Sequence, residues 1–203
     1  GSGEYDMWMI KTNADGDSLW SRTFGGARSD GCHSMLQTED GGYILAGSTR
    51  SYGHRLFEGR RYFDMWMIKT NADGDSLWSR TFGGELSDRC LSIIRTEDGG
   101  YVLAGYTESF GAGSSDFWMV KTNADGDSLW SRTFGGERQD FCNSIVQTED
   151  GGFALGGTTL SFSVGYNDLW IVKTNANGDS LWSRTYGEIH RSANCNSLIQ
   201  TED

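Results

Sequence analysis

Apolar and polar residues alternate along this chain in short runs, and no run holds the 3.6-residue period of a helix. In DMWMIKT, residues 6–12, Met7, Met9 and Lys11 fall on one side and Asp6, Trp8 and Ile10 on the other. In SLWSRTF, residues 18–24, Trp20, Arg22 and Phe24 oppose Leu19, Ser21 and Thr23. In CHSMLQT, residues 32–38, Cys32, Ser34 and Leu36 oppose His33, Met35 and Gln37. A fourth run, GYILAGS, is short and apolar throughout. A period of two places alternate side chains on opposite faces of a pleated strand, so each run predicts a strand. Trp, Ile, Met, Tyr and Thr suit such a surface.

These runs recur as a block. DMWMIKTNADGDSLWSRTFGG starts at Asp6 and returns unchanged at Asp64, with variants starting at Asp116 and Asp168, at spacings of 58, 52 and 52 residues. Each block is followed by a variable stretch, a Cys and then, one residue on, SxxxTED; three copies continue with GGYILAG, GGYVLAG or GGFALGG. A period near 50 without helical periodicity fits a four-stranded propeller blade. The strands are labelled A (CHSMLQT), B (GYILAGS), C (DMWMIKT) and D (SLWSRTF). TEDGG joins A to B and NADGDS joins C to D; Asp-Gly and Gly-Gly are strong short-turn signals because they tolerate positive φ.

The combined unit, CHSMLQTEDGGYILAGST…DMWMIKTNADGDSLWSRTFGG, resembles bacterial and archaeal β-propeller repeats of the SBBP type and is more distantly similar to NHL-type repeats. The resemblance spans essentially the whole chain. It implies an all-β propeller of four antiparallel repeats, each of four strands and about 52 residues, with strand A innermost and D outermost. Residues 1–203 then form one propeller domain. The chain opens at a C strand and closes after an A strand, so it holds four A, C and D strands but three B strands. Three accounts fit that inventory: a lost upstream segment, which is the favoured one, a strand supplied by another chain, or strand C innermost, so that the missing strand is an outer edge.

In an up-and-down antiparallel sheet the A–B and C–D turns share one end, and the B–C and D–A loops share the other. The turn end repeats almost without change. The loop end carries nearly every departure from symmetry, above all GHRLFEGRRYF at 53–63. Charge sorts the same way. The turns are dense in carboxylates, whereas Arg28, Arg50, Arg55, Arg60, Arg61, Arg89, Arg138 and Arg191 fall at the loop end. Inserts in repeat proteins map to loops that often bind. Arginine among aromatic residues has the composition of an interface hot spot. The candidate partner-binding set is therefore Arg28, His54, Arg55, Leu56, Phe57, Arg60, Arg61, Tyr62, Phe63, His190 and Arg191. The plainer reading of the same stretch is drift in an exposed loop.

The net charge of −11 argues against a nucleic-acid partner, which needs a basic footprint. No apolar run approaches the roughly 20 residues of a membrane helix. No secretory signal is visible at Gly1, and the chain begins mid-pattern.

Other candidates each have a structural alternative. Asn13, Asp15 and Asp17 alternate like oxygen ligands of calcium, but the Glu at position twelve is missing and a hairpin turn explains them. Trp20, Trp78, Trp130 and Trp182 share a face with Arg22, Arg80, Arg132 and Arg184. Four such edges suit a multivalent lectin, or they fill gaps between blades. Trp8, Trp66, Trp118 and Trp170, on strand C, are expected in the core. Cys32, Cys90, Cys142 and Cys195 recur once per repeat and read as small buried residues. His33, His54 and His190 occupy unrelated repeat positions, with no nucleophile or carboxylate partner at a recognisable spacing.

The sequence thus reads as a non-catalytic binding or scaffold propeller, with no cofactor. The resemblance implies an extracellular or cell-surface setting. A protein partner at the loop end is expected, or self-assembly. The alternatives are a lectin-like propeller using the Trp/Arg edges, a structural subunit of a larger assembly, and an enzyme whose site lies at the loop-end axis.

Overall fold

The computed structural model describes residues 3–54 and 62–202. Regular structure among the described residues is entirely β. The strands are β1 (Met7–Thr12), β2 (Ser18–Phe24), β3 (Asp30–Gln37), β4 (Tyr43–Thr49), β5 (Asp64–Thr70), β6 (Ser76–Phe82) and β7 (Asp88–Arg95). They continue with β8 (Tyr101–Thr107), β9 (Asp116–Thr122), β10 (Ser128–Phe134), β11 (Asp140–Gln147), β12 (Phe153–Thr159), β13 (Asp168–Thr174) and β14 (Ser180–Tyr186). Four antiparallel sheets result: β1-β2, β3-β4-β5-β6, β7-β8-β9-β10 and β11-β12-β13-β14. The chain divides into two compact units, residues 1–89 and 90–203.

Each four-stranded sheet keeps the order A-B-C-D, so A and D are its edges and C lies inside. The account that placed C innermost is corrected on this point, because B always separates A from C. The NADGDS turns work as their sequence requires. Asn13 Oδ1 accepts the backbone N–H of Asp15 at 3.0 Å and of Asp17 at 2.9 Å, while Gly16 takes a φ of 87°. The same side-chain bonds recur at Asn71, Asn123 and Asn175. At TEDGG, Asp40 ties its own turn to the neighbouring C strand: Lys69 Nζ donates to Asp40 Oδ1 at 2.7 Å and to Thr38 Oγ1 at 2.5 Å. Lys121 with Asp98 and Lys173 with Asp150 repeat the pair. Lys69 and Lys121 are buried, and a buried ammonium is tolerated only when paired in this way.

In the first unit Met7 and Met9 of β1 cover Tyr43, Leu45, Trp66 and Ile68 of the next sheet. In the second, Phe117 and Met119 of β9 cover Phe153, Leu155, Trp170 and Val172. Full burial of each such side chain contributes about 1.5–3 kcal/mol. Strands β4, β5 and β9 are buried along their whole length, which is why both of their alternating faces are apolar.

Two sequence expectations change. Trp66, Trp118 and Trp170 are 3%, 4% and 4% exposed, but Trp8 is 67% exposed because no sheet covers its face of β1. The fourth A segment, around Cys195, is not a strand: without a B partner it has no ladder to join. It lies instead along β11 and β12. Asn143 Nδ2 donates to Cys195 O at 2.8 Å, and Leu198 N donates to Ser144 Oγ at 3.0 Å.

Gly74 and Gly99 share a φ near +80° but differ in surroundings. A Cβ at Gly74 would lie 2.8 Å from the Trp20 ring, whereas nothing comes within 4 Å at Gly99. Both alanine substitutions carry the left-handed backbone cost of roughly 1–2 kcal/mol. Gly74→Ala is expected to lose about 1–3 kcal/mol more, from overpacking. Denaturant titration of the two variants checks the difference.

Candidate functional site

The loop end is organised by paired aspartates. One opens each C strand and the other opens each A strand. The C-strand member holds the loop that precedes it. Asp64 Oδ2 accepts His54 N–H at 2.6 Å, Asp116 Oδ2 accepts Ala112 N–H at 2.5 Å, and Asp168 Oδ2 accepts Val164 N–H at 3.1 Å. The A-strand member ties two loops together. Asp30 accepts Gly26 N–H at 2.8 Å, Ser51 Oγ–H at 2.6 Å and Thr49 Oγ1–H at 2.5 Å. Asp140 accepts the equivalent donors from Gly136, Ser161 and Thr159.

The second oxygen of the C-strand member is buried: Asp64 Oδ1, Asp116 Oδ1 and Asp168 Oδ1 have no hydrogen-bond partner. It lies against a glycine of the TFGG or TYG that follows in the same repeat, Gly83, Gly135 or Gly187. A Cβ at Gly83 would fall 2.6 Å from Asp64 Oδ1 and 2.9 Å from Asp88 Oδ2, so both carboxylates border one small volume. Desolvation, with a contribution from the Asp88 charge, pushes Asp64 up to about 6. Burial, helped by Asp140, raises Asp116 as well. Sequence reasoning passed over these pairs, although an Asp at each strand start was visible.

In the second unit the loop end forms an open cavity of about 420 Å³, lined by Leu91, Tyr106, Phe141, Asn143, Thr158, Leu160, Asn167, Asn194 and Asn196. Asn143 is displaced outward by a bulge, since the register skips from Cys142 to Ser144. Asn194 Oδ1 accepts from Asn167 Nδ2 at 2.7 Å and from Thr158 Oγ1 at 3.0 Å, which aims the remaining amide groups. Tyr106 meets Phe141 edge-on at 4.8 Å. The lining offers neutral donors and acceptors beside an aromatic pair, with no carboxylate, imidazole, amine or thiol. It can hold a neutral polar group by hydrogen bonds and ring contact. One signal in the sequence could have found it. The residue after each repeat Cys is His33, Leu91, Asn143 or Asn196, and B-strand positions 48, 106 and 158 read Ser, Tyr and Thr, where most other strand positions change only between similar residues.

The sequence-derived partner set is only partly placed. Arg55, Leu56, Phe57, Arg60 and Arg61 lie outside the described residues. His54 is exposed, with its backbone held by Asp64. Phe63 is clamped between two guanidinium groups, Arg50 at 4.3 Å and Arg89 at 3.9 Å. Tyr62 beside it is half-buried and Arg28 is exposed. In the second unit His190 takes a φ of 69° and Arg191 pairs with Glu188 at 3.3 Å. Partial burial and Arg89 lower His33 below its usual range.

Two of the four Trp/Arg edges are fitted between sheets. Trp20 stacks edge-on against Tyr43 at 6.1 Å, and Arg22 reaches Asp75 at 3.1 Å. Trp130 meets Phe153 at 6.2 Å, and Arg132 reaches Asp179 at 3.3 Å. Trp78 is half-buried beneath Arg80, while Trp182 is 44% exposed and Arg184 donates to Ser183 O. The Asn13 oxygen that calcium would need already accepts two backbone donors. Among the described residues no three His, Cys, Asp or Glu side chains converge to hold a metal. All four cysteines are free. Each Sγ–H donates to the carbonyl two residues on, and burial pushes Cys142, Cys195 and Cys32 up.

No protein-family model matches the chain, and no curated protein matches it significantly in sequence.

Two sets of carboxylates oppose each other as pH changes. Asp64 has a native value above its ordinary 3.8, so the folded state binds the extra proton and stability falls as pH rises from about 4 to about 6. Asp98, held down to about 2 by Lys121 and Thr96, contributes stability above 3.8 that is lost as pH falls through its folded value. Asp40 and Asp150 are lowered in the same way by Lys69 and Lys173. Stability is therefore expected to peak between about pH 4 and 5. Asp64→Asn should make the alkaline side shallower, with Asp116 still contributing to it, and leave the acid side unchanged. Denaturation midpoints measured across pH 3 to 8 check both limbs.

Proposed function

We propose that this chain is a β-propeller of SBBP type that works as a non-catalytic binding module, at the cell surface or outside the cell, through its loop end. The observation that carries the reading is where the departures from repetition meet. Leu91, Tyr106, Asn143 and Thr158 stand at positions where the repeats change chemical character, from His to Leu to Asn and from Ser to Tyr to Thr, and they converge on one loop-end cavity. Repetition is sufficient for folding, so divergence gathered in one concave place supports selection for a ligand.

The partner of choice is a protein that presents a neutral turn or loop. Carboxamides pair with peptide N–H and C=O groups, and the Tyr106–Phe141 pair supplies contact area at low entropic cost. The contacts of Arg50 and Arg89 on Phe63 support a second contact region, because they fix an aromatic residue at the end of the variable sequence 53–63. A neutral glycan is the second reading. The same amides and rings favour it, rather than the repeated Trp/Arg edges, two of which, Trp20 and Trp130, turn their rings to Tyr43 and Phe153.

The test compares Tyr106→Ala and Asn194→Ala with a turn-end control, Glu97→Ala. Each is used to capture crosslinked proteins from cell-surface extracts and is probed on a neutral glycan array. Loss of one captured protein by at least tenfold in both cavity variants, but not in the control, is the expected result. Equal capture by all three sinks the protein reading, and a cavity-dependent array signal without protein capture selects the glycan.

A further inference from the structure

Inside each unit, consecutive sheets join through a repeated junction. The giving face carries Met7, Met9, Trp20 and Phe24 in the first unit, and Phe117, Met119, Trp130 and Phe134 in the second. The receiving face carries Trp66 and Ile68, or Trp170 and Val172. Two fittings accompany each junction. An arginine reaches the aspartate that ends the next NADGD or NANGD turn, Arg22 to Asp75 and Arg132 to Asp179. A tryptophan lies on the glycine of that turn: a Cβ would fall 2.8 Å from Trp20 at Gly74 and 2.7 Å from Trp130 at Gly178.

Both halves of this junction also occur uncovered. The second unit ends its last sheet with a giving face: Leu169 and Ile171 are half-exposed, Trp182 is 44% and Tyr186 54% exposed. The first unit begins with a receiving face. Trp8 is 67% and Ile10 44% exposed, where the equivalent Trp66 and Ile68 are 3% and 1%. Gly16, unlike Gly74 and Gly178, has nothing within 4 Å of a Cβ position.

We propose that these faces join two copies of the chain head to tail. The β13–β14 face of one copy seats on the Trp8–Ile10 face of the next. Arg184 reaches the second copy's Asp17, and Trp182 lies on its Gly16. The occupant is a second copy because the two faces repeat the C- and D-strand part of the junction each unit already forms: guanidinium to carboxylate, indole to glycine, aliphatic row to Trp and Ile. The B-strand part, represented by Tyr43 and Leu45 in the first unit, lacks a counterpart in the β1-β2 sheet. The interface is heterologous, so it propagates into rings or filaments rather than stopping at a symmetric dimer. This inference does not rest on the loop-end binding site, and its test does not involve that site.

Sedimentation velocity and mass photometry, from nanomolar to tens of micromolar chain, read the outcome. The wild type is expected to form concentration-dependent oligomers. Trp8→Asp and Trp182→Asp should each stay monomeric alone, yet form a heterodimer and nothing larger when mixed, since each retains one complementary face. Both positions are exposed, and circular dichroism confirms that the variants fold. Asp17→Arg is expected to weaken association at least tenfold, and adding Arg184→Asp to the same chain should restore it. A wild type that remains monomeric throughout overturns the proposal, as does association that is unchanged in the Trp variants or that the charge exchange fails to restore.

Discussion

A strand with two apolar faces needs cover on both, and this requirement governs the whole molecule. In β5 and β9 the Met or Phe face and the Trp face are both buried, so a sheet built on either cannot be satisfied by a single neighbour. Stacked sheets follow from it, and so do the details that make stacking specific. The Trp of strand D settles on a turn glycine, where a side chain would block its approach. The buried lysine at the end of strand C takes an aspartate from the neighbouring turn, which fixes the height of that turn on the sheet. Wherever one face lacks a neighbour, the same residues become adhesive surface, as at Trp8 and at Trp182.

The loop end obeys a different constraint. Its loops vary in length, but each is anchored by a carboxylate whose oxygen accepts a backbone N–H. The anchor is indifferent to loop sequence, because every residue type except proline has that donor. It is built at a cost, since the other oxygen is desolvated beside a second carboxylate. A scaffold of this kind lets loops and bulge residues diverge while the sheets stay constant. Among the described residues, the arginines that stood out in the acidic sequence have two kinds of place in it. Arg50 and Arg89 hold Phe63 at the foot of the insert, whereas Arg28 and Arg191 are exposed.

The order A-B-C-D followed from the resemblance alone, but the strands, apart from the fourth A segment, and the turns were legible in the sequence, because alternation and turn chemistry are local properties. So was the division into a uniform end and a variable end, which follows from antiparallel direction alone. The aspartate pairs were not. Asp64 and Asp88 lie 24 residues apart and meet only when strands β5 and β7 bring their starts to the same end. The cavity escaped for a related reason. Leu91, Asn143 and Asn196 look like noise after a cysteine until the bulge at Cys142 shows that this position leaves the ladder.

By itself the sequence determined the repeating unit and which residues alternate on each strand. Tertiary structure decided which of those identical residues are covered. Trp8 and Trp66 sit in the same heptapeptide, yet one faces solvent and the other is core. The difference lies in the neighbouring sheet, because burial belongs to a pair of surfaces and not to a residue.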